Sequence, residues 1–133
     1  MVGVSVLLVE DNPDEEFLTL RVLKKFPSLA RIDVVRDGEE AVEYLATGAT
    51  LPDLVLLDLK LPKIDGIDVL ADFRSREESR DTAVVVLSSS DYARDISRCL
   101  ELGADAYLLK PLNAKEFESV LGRHGFSTAR AQG

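Results

Sequence analysis

Carboxylates follow two apolar runs in this chain of 133 residues: Glu10 and Asp11 come after Val4–Val9, and Asp58 comes after Leu54–Leu57. Hydroxyls and a cation follow two more: Ser88, Ser89 and Ser90 after Ala83–Leu87, and Lys110 after Ala106–Leu109. Acids gathered in one crevice repel one another and stay ionised only beside a cation. Mg²⁺ suits such a set, because it prefers oxygen ligands and pairs one or two carboxylates with phosphate oxygens. Lys110 offers a point charge for a phosphate oxygen, and Ser88 a hydroxyl donor. A carboxylate nucleophile, a metal, a cation and a hydroxyl are the parts of a phosphoryl-transfer site.

These groups meet only if the apolar runs are neighbouring strands. Four of the five runs are nearly continuous in Val and Leu, as strands buried on both faces are. The remaining run, Arg31–Val35, is more polar and suits an edge. Segments with helical spacing lie between them: Asn12–Phe26, Glu39–Ala46, Gly66–Arg76, Asp91–Leu102 and Ala114–Arg123. Phe17, Leu18, Val22, Leu23 and Phe26 make a broad stripe on the first. Asn12, Ser90-Asp91 and Asn113 are helix N-cap candidates, and Gly48 and Gly103 are helix stops. Cys99 falls on an apolar stripe as a core residue, Asp65 reads as a cap, and His124 sits at a helix end. Strict βα alternation predicts a doubly wound parallel sheet. Ligands of such sheets bind beyond the carboxyl ends of the strands, at a topological switch point.

Composition narrows the function classes. With 16 Lys and Arg against 24 Asp and Glu, the net charge is −8, which argues against direct binding to nucleic acid or an anionic membrane. One cysteine excludes an internal disulfide and points to the cytoplasm. One histidine excludes a multi-histidine metal centre, and no apolar run approaches the length of a membrane helix.

The sequence resembles the receiver domain of two-component response regulators. The resemblance rests on Val6-Leu-Leu-Val-Glu-Asp11, on Pro52-Asp-Leu-Val-Leu-Leu-Asp-Leu-Lys-Leu-Pro-Lys-Ile-Asp-Gly66, on Val84-Val-Val-Leu-Ser88 and on Gly103-Ala-Asp-Ala-Tyr-Leu-Leu-Lys-Pro111. It implies a flavodoxin-like (βα)5 fold with strand order 2-1-3-4-5, a receiver domain over residues 1–124 and a flexible tail over 125–133. Asp58 then matches the phosphoacceptor, and Asp11 the direct Mg²⁺ ligand. Glu10 matches the outer acid, and the Lys60 carbonyl completes the metal site. Ser88 matches the hydroxyl switch, Tyr107 the aromatic switch and Lys110 the phosphate-pairing lysine, with a cis bond before Pro111. Glu10 and Ser88 stand where Asp and Thr are common in the family.

A narrower likeness, to stand-alone receivers associated with bacterial phytochromes, rests on Glu10-Asp-Asn-Pro-Asp14, Arg36-Asp-Gly-Glu39, Leu57-Asp-Leu-Lys-Leu-Pro62 and Leu87-Ser-Ser-Ser90. It implies a sensor histidine kinase as phosphodonor, weak self-catalysed dephosphorylation, and signalling by protein contacts or onward phosphotransfer without a DNA-binding output domain. It also implies a homodimer through the fourth helix, fifth strand and fifth helix, which offer Tyr107, Leu108 or Leu109 with Arg94, Arg98, Lys115 and Glu118. The alternative is an interaction module that works without phosphorylation. A dehalogenase-type phosphatase would need an acid where Lys60 stands, and a flavin phosphate would be repelled by Glu10 and Asp11.

Overall fold

The computed structural model describes residues 3–47 and 50–131. Five strands alternate with five helices: β1 Val4–Val9, α1 Pro13–Leu23, β2 Leu29–Val35, α2 Gly38–Thr47, β3 Leu54–Leu57, α3 Gly66–Arg74, β4 Ala83–Ser88, α4 Ala93–Glu101, β5 Ala106–Leu109 and α5 Ala114–Arg123. A 3-10 turn over Glu77–Asp81 precedes β4. All pairings are parallel, in the order β2-β1-β3-β4-β5. This is the flavodoxin-like receiver fold, with the polar second run at an edge.

Side-chain alternation along the central strands divides the core between two faces. Val6, Leu8, Leu54, Leu56, Val85 and Leu87 join Leu23 and Phe26 near α1 and Phe117, Val120 and Leu121 of α5. Leu7, Val9, Val55, Leu57, Val84 and Val86 join Ala41 and Leu45 of α2, Val69, Leu70 and Phe73 of α3, and Cys99 of α4. Full burial of each large side chain contributes about 1.5–3 kcal/mol, so both faces are needed at this chain length.

Local chemistry sets the helix ends. The Asn12 side chain accepts from the Asp14 and Glu15 amides, and Asn113 does the same for Lys115 and Glu116. Gly103 stops α4 with φ 107°. Gly48 lies outside the described residues. Two expectations need correction. Ser90-Asp91 does not cap α4: the helix starts at Ala93, Tyr92 is the cap residue without a side-chain bond, and the Ser90 hydroxyl donates to Asp95 at 2.6 Å. The α1 stripe is not wholly internal either, since Phe17 is 62% exposed and Leu18 46%.

The described part of the C-terminal segment, residues 125–131, runs along the domain. Phe126 packs on the α1–α5 face, and the Ala131 amide donates to the Lys25 carbonyl at 2.8 Å. Arg130 pairs with Glu118 at 2.6 Å and lies over the Phe26 ring.

Candidate functional site

Sheet register brings the two acidic strand ends together. Val9 of β1 pairs with Leu57 of β3, so Glu10 and Asp58 are the next residues beyond a matched pair. The chain leaves β1 for β2 on one side and returns to β3 on the other, which makes this the switch point of the sheet. The Asp58 amide donates to the Val9 carbonyl at 3.2 Å, and the Glu10 amide to the Val35 carbonyl at 3.0 Å. On the far side Ser88 pairs with Leu109, and the Lys110 amide donates to the Ser88 carbonyl at 2.9 Å.

Lys110 crosses the switch point. Its Nζ lies 2.7 Å from Glu10 Oε1, 3.0 Å from Asp58 Oδ2 and 3.0 Å from Glu15 Oε1. The bonds to Asp58 and Glu15 are aligned hydrogen bonds. Glu10 Oε1 lacks an aligned donor, so charge rather than hydrogen-bond direction holds that pair. Glu10 is 1% exposed and Asp58 7%. Burial pushes the Glu10 carboxyl up to about 7, against the pull of the lysine, and the Asp58 charge adds to the rise. For Lys110, burial works to lower the ammonium, but its pairing with Glu10, Asp58 and Glu15 outweighs it and the net direction is upward.

The loop after β3 is folded tightly under Asp58. The Lys60 amide donates to Asp58 Oδ1 at 3.3 Å, and the Gly66 amide to the Leu59 carbonyl at 2.8 Å. A Cβ on Gly66 would run into the Asp58 carbonyl oxygen and the Leu59 backbone. Lys63 has φ 71°, with the Ile64 amide donating back to Pro62 O at 2.8 Å across it: a γ-turn, strained for a residue with a side chain. Asp65 caps α3, with Oδ1 accepting from the Gly66 amide.

Ser88 and Tyr107, the expected switch pair, are linked through Ser90. Ser88 is buried, and its Oγ accepts from the Ser90 amide at 3.1 Å. Tyr107, half-buried, donates its hydroxyl to the Ser90 carbonyl at 2.7 Å. The Lys110–Pro111 bond is cis.

Asp11 is exposed beside this cluster, and Lys60 is exposed after Asp58. Among the described residues, the acids that bring oxygens within 4.8 Å of one another are Glu10, Glu15 and Asp58. Glu15 was not singled out from the sequence. Its only sequence signal was its place in the first turn of α1, three residues after the Asn12 cap, and that signal reads equally well as a helix-dipole partner. The position of Ser90 before a helix suggests a cap, whereas its backbone links Ser88 to Tyr107.

Known proteins are similar to this chain in sequence and fold. Response regulator Rcp1 of Synechocystis sp. (strain ATCC 27184 / PCC 6803 / Kazusa) is 35% identical over 127 residues, covering 91% of this chain and 86% of Rcp1. Its Mn(2+)-bound crystal structure superposes with a TM-score of 0.76 at 34% identity, over 93% of this chain and 94% of that one. The bacteriophytochrome response regulator AtBRR gives 0.82 at 38% identity, over 96% of each chain. The phosphorylated cyanobacterial phytochrome response regulator RcpA gives 0.80 at 36% identity, over 98% of this chain and 100% of that one. The sequence also matches the family described as response regulator receiver domain over residues 6–121. Because that match runs from the first strand into the last helix, the chain belongs to the response regulator receiver domain family.

Proposed function

We propose that this receiver accepts a phosphoryl group on Asp58 from the phosphohistidine of a sensor histidine kinase of the phytochrome-associated kind. The observation that carries the reading is the Asp58 carboxylate, nearly buried at the switch point with Lys110 Nζ at 3.0 Å. An Asp58 oxygen forms the bond to phosphorus as the P–N bond of the donor breaks, and the imidazole leaves. Lys110 then pairs with a phosphoryl oxygen. Ser88 gives up the Ser90 amide and donates its hydroxyl to another, which loosens the loop that Tyr107 holds. Water later attacks phosphorus and restores the carboxylate, which is the slow self-dephosphorylation expected of the site.

The donor set fits a divalent cation: oxygens only, with Glu10 and Asp58 buried and Glu10 Oε1 lacking an aligned hydrogen bond. Glu10, Asp11, Asp58 and the Lys60 carbonyl are the residues that would hold Mg²⁺. Bound there, Mg²⁺ would neutralise charge on the phosphoryl oxygens during transfer. The Mn(2+)-bound form of Rcp1 supports this assignment by relation.

Phosphorylation is read out by protein contacts on the face of α4, β5 and α5, in the cytoplasm. Tyr92, Leu100 and Leu109 are exposed apolar groups of that region, and Arg94, Arg98 and Lys115 are charged and exposed around them. That mix suits a transient or homodimeric interface. No described helix is long and apolar enough to cross a membrane.

Incubation with acetyl phosphate and Mg²⁺, followed by intact mass, tests the reading. One added phosphoryl group on the wild-type chain and none on Asp58→Asn is expected. An unlabelled wild-type chain would leave the phosphorylation-independent module as the better account.

A further inference from the structure

The Lys110 ammonium aligns two N–H donors on Asp58 and Glu15, and the Glu10 carboxylate crowds it at 2.7 Å, so three acids already share one cation. A phosphoryl group on Asp58 brings more negative charge to that one cation, and the acid that is cheapest to release is the one that yields. Glu10 is poorly placed to do so: at 1% exposure, losing its counter-charge would strand a buried carboxylate. Asp58 gives up its own charge on becoming an acyl phosphate, but the dianion that replaces it makes a stronger claim on the same Nζ. Glu15 is the remaining partner, and its side chain is 37% exposed against 8% for Asp58. It can return to water at little cost. It also stands at the mouth of the site, where it lines a cleft of about 360 Å³ with Leu18, Thr19, Ser89, Lys110 and Pro111.

We propose that Glu15 is the exchangeable partner of Lys110: it occupies the ammonium in the resting chain, and a phosphoryl group arriving on Asp58 displaces it. The inference rests on the phosphoacceptor reading above. Two consequences follow. The Glu15 carboxylate slows capture of anionic phosphodonors, both by repelling them and by holding the lysine they need. On phosphorylation it is expelled toward solvent on the α1 side, which changes the charge lining the cleft.

Glu15 acts here through Lys110, as a positioning residue, and the test must separate charge from structure. Phosphorylation rates are measured for the wild-type chain, Glu15→Gln and Glu15→Ala, with Mg²⁺ present, using two small donors. Acetyl phosphate is a dianion near neutral pH and reacts with loss of acetate as its P–O bond breaks. Phosphoramidate is a net monoanion and reacts with loss of ammonia as its P–N bond breaks. Both variants should be labelled about three- to tenfold faster than wild type by acetyl phosphate at low salt, the range expected for one nearby, partly screened charge. The gain should be smaller with phosphoramidate and should shrink as ionic strength rises. A substitution that merely loosened α1 would show neither the donor dependence nor the salt dependence. Equal or slower labelling of both variants, or a gain indifferent to donor charge and salt, would overturn the assignment of Glu15 while leaving Asp58 as the acceptor. A wild-type chain that takes up no phosphoryl group from either donor would overturn both.

Discussion

At Glu10, burial and ion pairing pull in opposite directions, and burial wins. Its carboxyl holds a proton up to about 7, against an ordinary value of 4.5. The unfolded chain ionises first, so the folded chain loses stability as pH rises across that window. Metal binding responds in the other sense, because Mg²⁺ must displace the proton. Titration calorimetry should therefore show Mg²⁺ affinity climbing from roughly pH 6 to roughly pH 8 and then levelling off. Glu10→Gln should bind Mg²⁺ more weakly with a flatter profile, and an identical pH profile would count against Glu10 as the linked group. Ser88 makes a second prediction at this scale. Ser88→Ala removes the hydroxyl that accepts from the Ser90 amide but leaves Asp58 and Lys110 in place. It should still take up a phosphoryl group, with weaker amide-shift changes near Tyr107 on adding beryllofluoride. Full wild-type shifts in that variant would remove Ser88 from the relay.

The elements show which parts of this structure local sequence specifies. β1, β3, β5 and α5 begin and end where their apolar patterns do, because each has a plain boundary: an acid, a lysine or an asparagine cap. β2 starts two residues before its apolar run, since Leu29 is buried while Ala30 is exposed. α4 starts at Ala93, two residues later than Asp91, because the Ser90 hydroxyl donates to Asp95 and accepts from the Tyr92 amide rather than from an amide of the first turn. The turn at Glu77–Asp81 has no apolar period to reveal it. It is tied by nearby Arg74, which donates to the Ser79 carbonyl and also reaches the Gly103 carbonyl and Asp105, at 2.8 Å, farther along the chain. Spacing gave the width of the α1 stripe, but tertiary packing chose which edge to bury, leaving Phe17 and Leu18 outside. The acids of the site were legible because each ends a strand, whereas Glu15 reaches Lys110 across 95 residues of chain. Gly66 tests the loop these elements hold under Asp58. Gly66→Ala should lower stability by about 1–3 kcal/mol in urea unfolding, because backbone rather than a flexible side chain stands in the way of the methyl group. An unchanged midpoint would mean that the loop yields freely.

For the whole molecule, the proposed switch requires the parallel sheet to carry a local event outward. Asp58 and Lys110 end β3 and β5, and Tyr107 lies on β5 between the site and the exposed face of α4 and α5. Glu118 is engaged by Arg130, and exposed Arg94, Arg98 and Lys115 stand beside exposed Glu101 and Glu116, so these elements carry both signs. A face of mixed sign suits a partner surface of complementary mixed charge, including that of a second copy. Light scattering should show a larger species on adding beryllofluoride with Mg²⁺, and reversal of charge at Arg94 should weaken it. A monomer at every concentration, with and without beryllofluoride, would reject the dimer and leave kinase docking intact. The central claim is narrower than assembly: one carboxylate at the end of β3 takes the phosphoryl group. The most direct measurement treats the phosphorylated chain with borohydride, which reduces an acyl phosphate to an alcohol, and then maps the peptides. The reduced side chain should fall on position 58 alone; a reduced acid at Glu10, Asp11 or Glu15, with position 58 unaltered, would contradict the account.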